Sequence, residues 1–226
     1  MTVSKTFRTK CFLFDLDGTL IDTTPLVEAH WRNFAAEHNL DASVILATSH
    51  GRRTIDTIRE HVPHIATEEL VDKYEQAMAR QKDGVALLPG VRAILKSLPS
   101  NCWAICTSAS TYMAEARLNQ CDIPIPRVVI TADMVKKGKP DPEGYTRAGR
   151  GLGFLPKECI VVEDAPAGVR AAKASGMRSI GLLTTHRREQ LMEAEADVIV
   201  RDLSDVQVRI GDDGWLEVTV QEWEES

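Results

Sequence analysis

Six short apolar runs punctuate this chain: Cys11–Phe14, Trp103–Cys106, Val128–Ile130, Ile160–Val162, Ser179–Leu183 and Val198–Val200. Each is three to five residues long and almost wholly apolar. A strand that is apolar at successive positions, rather than at alternate ones, has both faces covered, as in a parallel sheet between helical layers. Helix-like stretches separate the runs: Val91–Leu98 behind Pro89-Gly90, Thr111–Asn119, Pro142–Leu152 and Ala167–Ser175. Gly176 stands where a glycine ends the last of them. Strand–helix–strand repetition implies right-handed crossovers, so the predicted class is α/β, a doubly wound parallel sheet.

One stretch breaks the alternation. Between about Thr23 and Gly84 there is no strand pattern, and apolar residues recur at helical spacing. Leu26, His30, Trp31 and Phe34 mark one face; Ile55, Ile58 and Val62 a second; Leu70, Tyr74, Ala77 and Met78 a third. The expectation is an all-helical cap at 23–84, inserted after the first strand of an α/β core formed by 1–22 and 85–226. Its hinge is expected near 20–24 and 84–89, where Asp83-Gly84 and Leu88-Pro89-Gly90 supply turn residues. The alternating segment Trp215–Val220 behind Asp212-Asp213-Gly214 predicts a hairpin strand at the sheet edge.

Composition narrows the function. A chain of 226 residues allows one large domain, or one domain with a smaller insert. A net charge of −6 supplies no broad field for nucleic acid or an anionic membrane. No apolar run approaches the roughly 20 residues needed to span a bilayer. The run after the charged N-terminus stops at Asp15, too soon for a secretion signal. Five cysteines without a CxxC spacing predict buried reduced thiols and a cytoplasmic protein. The expected partner is a small molecule, with no nucleic acid and no membrane, and the expected state is a monomer.

Four segments carry candidate chemistry. In Cys11-Phe-Leu-Phe-Asp15-Leu-Asp17-Gly18-Thr19 an apolar strand runs into two carboxylates at i and i+2, which leave the same face of an extended backbone. Ligands in open α/β sheets bind beyond the carboxyl ends of strands. Carboxylates this close repel unless a cation joins them or one is protonated, and oxygen-only ligands favour Mg²⁺. A solvated Asp-Gly turn is the plainer alternative. Ile160-Val-Val-Glu163-Asp164-Ala-Pro-Ala-Gly168 repeats the pattern, a strand ending in adjacent carboxylates, although a helix cap would explain Asp164 alone. Lys136-Lys-Gly-Lys139-Pro140-Asp141-Pro142 offers an ammonium on a backbone that two prolines fix, suited to phosphate unless it is simply solvated. Trp103-Ala-Ile-Cys-Thr107-Ser108-Ala109-Ser110 ends a strand in hydroxyls. Ser108 could donate to a phosphoryl oxygen with the Ala109 N–H beside it, while Ser110 is the better-placed helix cap.

Taken in order, the aspartate pair, hydroxyl, lysine and acidic pair resemble the haloacid dehalogenase-like hydrolases over nearly the whole chain. The inserted helices are similar to the cap of the subgroup that includes phosphoglycolate phosphatase and β-phosphoglucomutase. Ser49-His50-Gly51-Arg52-Arg53-Thr54, Trp31-Arg32, Gly138-Lys-Pro-Asp-Pro-Glu-Gly-Tyr145 and Glu163-Asp-Ala-Pro-Ala-Gly168 resemble the fungal-type glycerol-phosphate and 2-deoxyglucose-6-phosphate phosphatases. The resemblance implies a Mg²⁺-dependent phosphatase for a small sugar- or polyol-phosphate monoester. Asp15 would be the nucleophile that becomes an aspartyl-phosphate, and Asp17 the general acid and base. Mg²⁺ would be held by Asp15, the Asp17 carbonyl and Asp164, with Glu163 in or near the shell. Lys139 and Ser108 would hold phosphoryl oxygens, with Thr19 and Ala109 beside the substrate. The cap would act as a lid, with His50, Gly51, Arg52 and above all Arg53 reading the leaving group. His30, Trp31 and Phe34 are expected to pack within the cap, and His38, His61, His64 and His186 carry no expected role.

Three alternatives remain open. A β-phosphoglucomutase-like phosphomutase would carry a histidine four residues before Trp31, where this chain has Val27. A dehalogenase would need neither Mg²⁺ nor Asp17. A non-catalytic binding protein on the same fold would have no reason to keep all four segments intact.

Overall fold

A computed structural model of the chain describes residues 2–223. Met1 and 224–226, the outermost residues of the two expected core segments, lie outside the described residues. In chain order the elements are β1 (Thr2–Thr9), β2 (Cys11–Phe14), β3 (Ile21–Asp22), α1 (Thr24–Glu37), α2 (Ala42–Ser49), α3 (Thr54–His61), α4 (Glu68–Ala79), β4 (Ala86–Leu87) and α5 (Val91–Ser97). There follow β5 (Trp103–Cys106), α6 (Thr111–Gln120), β6 (Val129–Ile130), α7 (Glu143–Leu152), β7 (Cys159–Glu163), α8 (Pro166–Ala174), β8 (Arg178–Leu182), α9 (Arg188–Glu193), β9 (Val198–Val200), β10 (Val206–Ile210) and β11 (Leu216–Trp223).

The six apolar runs form one parallel sheet in the order β6-β5-β2-β7-β8-β9. Continuous apolarity has the expected cause, because every residue of β2 is buried and its side chains alternate between two cores. Phe12 and Phe14 join Trp103, Ile105, Ile160 and Val162 on the face covered by α5 and α6. Cys11 and Leu13 join Ala104, Cys106 and Val161 on the face covered by α7 and α8. The chain winds outward from β2 to β6, then returns to β7 and winds the other way. The switch point therefore falls between β2 and β7, where ligands bind in folds of this kind.

The C-terminal expectation is corrected. β11 does not lie at the edge of the main sheet; it is the middle strand of a separate antiparallel sheet, β1-β11-β10. Leu216, Val218 and Val220 turn inward onto the main core. β1 gave no sequence signal because Val3, Ser4, Lys5, Thr6 and Arg8 are exposed, and of its inward residues Phe7 and Thr9 only one is apolar.

Helices α1–α4 stand between β3 and β4, which pair with each other through Ile21↔Leu87 and Asp22↔Ala86. They share a cluster of their own around Trp31, Phe34, Ile45, Ile55, Ile58 and Val71. Two side-chain caps start helices here: Asp41 accepts from the Ser43 N–H at 2.8 Å, and Thr67 accepts from the Leu70 N–H at 3.3 Å. A smaller cluster of Leu26, Met78, Ala79, Ala109 and Met113 joins these helices to the sheet side. All five cysteines are free thiols. Among the described residues no helix is long and apolar enough to cross a membrane.

Gly90 starts α5 at φ +81°, and a Cβ there would lie 2.1 Å from the carbonyl carbon of Leu203. Gly153 ends α7 at φ +87° with nothing within 4 Å. Left-handed backbone alone costs a non-glycine residue about 1–2 kcal/mol. Gly90→Ala should therefore lower the urea-unfolding free energy by clearly more than Gly153→Ala. Equal losses would show that the Leu203 backbone yields freely.

Candidate active site

Asp15 follows β2 directly, and its N–H donates to Val162 O at 3.0 Å, continuing the ladder with β7. Glu163 ends β7 and Asp164 follows it. Parallel register thus brings three carboxylates to one rim, where an oxygen from each lies within 4.8 Å of the others. All three residues are at most 2 % exposed. The one ammonium among them is Lys139, which ion-pairs with Asp15 and, at 2.6 Å, with Glu163.

Three buried carboxylates against one ammonium leave excess negative charge. Burial, opposed by Lys139, holds the Asp15 carboxyl well above its ordinary range. Burial and the Glu163 charge push Asp164 up to about 7. Burial alone would strip the Lys139 proton, but the Asp15 and Glu163 carboxylates more than reverse it, so its pKa rises. A buried set of hard oxygen donors with surplus negative charge fits a divalent cation.

The surroundings shape each carboxylate. Asp164 accepts from Thr19 Oγ1 at 3.0 Å on one oxygen and from Thr185 Oγ1 on the other. Glu163 accepts from Tyr145 OH at 2.7 Å and from the Ala165 N–H at 3.2 Å. Two glycines leave the necessary space. A Cβ on Gly18 would meet Asp164 Oδ2 at 2.3 Å, and one on Gly168 would meet Glu163 Oε1 at 1.7 Å. Asp17 is only partly buried; Thr23 Oγ1 donates to it at 2.8 Å, and burial raises its carboxyl above the ordinary range. A carboxyl poised to keep a proton suits an acid that protonates a leaving group.

A narrow cleft of about 70 Å³ opens over this rim, bounded on the other side by α1–α4. Asp15, Asp17, Ser108 and Ala109 line it from the sheet side, and His50, Gly51 and Arg52 from the helical side. The two sides touch. Ser108 Oγ donates to Gly51 O at 2.8 Å, so the hydroxyl expected on phosphate faces the 49–53 loop here. A Cβ on Gly51 would come 2.5 Å from Ala165 Cβ. Ala109 N–H donates to Thr107 Oγ1 at 3.1 Å, and Ser110 caps α6 as expected.

Other expected residues sit differently. Thr19 is fully buried behind Asp164, where it orients that carboxylate. Arg53 lines an adjoining pocket with Thr107, Ser108 and Lys139, and binds Asp56 at 2.7 Å and Val135 O at 3.2 Å. Arg52 lines the cleft and pairs with Glu60. His30, expected only to pack, lines the cleft as well as touching Trp31 and Tyr74. Sequence reasoning missed Thr23, Glu75, Tyr145 and Thr185 as site residues. Tyr145 stood inside a segment already singled out, whereas Thr185 and Glu75 are isolated polar residues that only the fold brings in.

The sequence profile of the haloacid dehalogenase-like hydrolases matches residues 9–176. Among curated proteins, hexitol phosphatase A of Escherichia coli is 38% identical over 206 residues, covering 89% of this chain and 94% of that protein. Glycerol-1-phosphate phosphohydrolase 2 of Saccharomyces cerevisiae is 37% identical over 208 residues, covering 87% of this chain and 83% of that protein. A crystal structure of a hydrolase from Pseudomonas syringae superposes with a TM-score of 0.76 at 27% identity, covering 85% of this chain and 94% of that one.

The Tyr145–Glu163 hydrogen bond can be tested by itself. Tyr145→Phe keeps the ring and removes one donor to a buried carboxylate, which should cost about 1–3 kcal/mol of stability in urea unfolding. An unchanged midpoint would show that Lys139 and Ala165 satisfy Glu163 without it.

Proposed function

We propose that this chain, which belongs to the haloacid dehalogenase-like hydrolase family, is a magnesium-dependent phosphatase for a small polyol- or sugar-phosphate monoester. The observation that carries the reading is the meeting of Asp15, Lys139 and Asp164 at the switch point of the sheet, beneath a cleft bounded by α1–α4. The names of the relatives, a hexitol phosphatase and a glycerol-1-phosphate phosphohydrolase, support the substrate class. Five free thiols and a net charge of −6 suit a cytoplasmic enzyme acting on small esters.

In the proposed mechanism an Asp15 carboxylate oxygen attacks phosphorus, and the bond from phosphorus to the ester oxygen breaks. Asp17 gives its proton to the departing alkoxide. Asp17 then takes a proton from water as that water attacks the aspartyl-phosphate at phosphorus, releasing inorganic phosphate and restoring Asp15. Lys139 stays charged beside Asp15 and neutralises phosphoryl oxygens. Magnesium bound by Asp15, Asp164 and the Asp17 carbonyl, with Glu163 beside them, would supply the positive charge that offsets repulsion between a carboxylate and a phosphate dianion. Phosphate-monoester hydrolysis is so slow unaided that these effects together must lower the barrier by about 20 kcal/mol or more.

Residues 23–84 act as the lid in this reading. Support comes from the contacts that hold the helical side onto the core: Ser108 to Gly51, Arg53 to Val135, and Arg117 to the carbonyls of Met78 and Gln81, both at 2.8 Å. Closure excludes bulk water from the intermediate, and opening exchanges substrate and product. The phosphomutase alternative is disfavoured because Val27, which lines the cleft at the position in question, has no group that can move a proton.

The test is release of inorganic phosphate from a panel that includes glycerol phosphates, hexitol phosphates and 2-deoxyglucose 6-phosphate. Wild-type enzyme should turn over at least one of them with magnesium and lose that activity in EDTA. Asp15→Asn should keep the fold, checked by circular dichroism, and abolish turnover. Near wild-type rates from the variant would remove Asp15 as nucleophile, and full activity in EDTA would remove the metal.

A further inference from the structure

Glu75 has no place in the mechanism above, yet it is 2 % exposed and lines the same cleft as Asp15 and Asp17. It lies on α4. Thr54 Oγ1 donates to its Oε1 at 2.8 Å, and the Ser110 N–H donates to its Oε2 at 2.8 Å. No lysine or arginine pairs with it among the described residues. A buried carboxylate without a cation is costly, and structures keep one where its acceptor oxygens have work to do. Burial raises the Glu75 carboxyl above its ordinary range, and its two donors leave acceptor positions on both oxygens unused.

Two further residues that line the cleft each carry a buried polar atom without a partner. Ser49 Oγ, on a residue 4 % exposed, has no hydrogen bond, and neither does the buried His30 Nε2. Burial lowers the His30 pKa to about 4, so the ring is neutral and can donate or accept. Buried polar atoms go unpartnered only rarely, and a small side-chain rotation would bring these two to a ligand in the cleft. The set of one carboxylate, one hydroxyl and one neutral imidazole matches alcohol hydroxyls, which both donate and accept.

The cations near the cleft are already engaged. Arg52 pairs with Glu60, Arg53 with Asp56, and Lys139 with Asp15 and Glu163. An ester carrying a second anionic group would bring it against the Glu75 carboxyl, and Arg52 could meet it only by leaving Glu60.

We propose that Glu75, with Ser49 and His30, forms a subsite that binds hydroxyls of the leaving alcohol and so selects neutral polyol phosphates over esters that lack hydroxyls or carry a second anion. This rests on the phosphatase reading and adds specificity determinants to it. Glu75 accepts from a substrate hydroxyl while holding the Ser110 N–H. The same carboxylate therefore ties hydroxyl recognition to the loop that leads from Ser108 into α6.

The experiment compares kcat/KM for glycerol 1-phosphate, propyl phosphate and phosphoglycolate. With wild-type enzyme, glycerol 1-phosphate should lead each of the others by about tenfold or more, the value of one or two hydrogen bonds to a buried polar group. In Glu75→Gln and in Ser49→Ala the ratio of glycerol 1-phosphate to propyl phosphate should fall several-fold. Unchanged ratios in both variants, with all rates falling together, would reduce Glu75 to a contact between α4 and the core and overturn the subsite. If Glu75→Gln does not fold, Ser49→Ala and the wild-type series still decide, and no wild-type preference for the hydroxyl-bearing ester overturns the proposal. Turnover without that preference sinks the subsite alone, whereas no turnover of any ester sinks the phosphatase reading with it.

Discussion

Excess negative charge at the carboxyl ends of β2 and β7 is the constraint on which the rest of this structure depends. The strands are parallel neighbours, so Asp15 lies beside Glu163 and Asp164 by register alone. Like charges that close, out of water, would push the strands apart or stay protonated. The nearby elements answer that cost. The loop before α7 delivers Lys139, α7 supplies the Tyr145 hydroxyl, and the segment after β8 supplies Thr185. Gly18 and Gly168 give up side chains so that the carboxylates have room. A divalent cation would complete the balance, and with Lys139 it would offset the charge that a phosphate ester adds.

The loop after β5 links this charged rim to the helices above it. Thr107, Ser108, Ala109 and Ser110 follow one another, and each has a different task. Thr107 accepts from the Ala109 N–H, Ser108 reaches Gly51, and Ser110 caps α6 while its N–H meets Glu75. Of the groups expected to hold phosphoryl oxygens, the Ser108 hydroxyl is held by the helical side, while the Ala109 N–H is held within its own loop. In the proposed reading, a phosphoryl oxygen and Gly51 O would compete for the Ser108 hydroxyl.

Much of the architecture could be read from the sequence because its strands are buried on both faces. Cys11–Phe14, Trp103–Cys106 and Val198–Val200 have the bounds that their apolar runs suggest. β1 and β10 escaped notice because they are largely exposed, so their residues carry no continuous apolar signal. β11 was recognised as a strand but misplaced, since alternation reveals one wet face and not which sheet the other face joins. The same limit applies to the site. Asp15, Asp17, Lys139 and Asp164 sit in compact segments whose residue order has chemical meaning. Thr19 sits in one too, but its hydroxyl turns to Asp164. Thr185, Tyr145 and Glu75 act through contacts 18 to 35 residues away in sequence, which local spacing cannot show. Arg53 shares a pocket with Ser108 and Lys139, and its ion pair with Asp56 is a further contact that its position beside Arg52 does not reveal.

The most direct measurement is a rapid acid quench of the enzyme with its phosphate ester during turnover, followed by borohydride reduction and peptide mapping. If Asp15 takes the phosphoryl group, the reduced residue will be found at position 15 and nowhere else. A quench that catches the enzyme mid-turnover yet leaves Asp15 unmodified, or that marks another carboxylate, would contradict it.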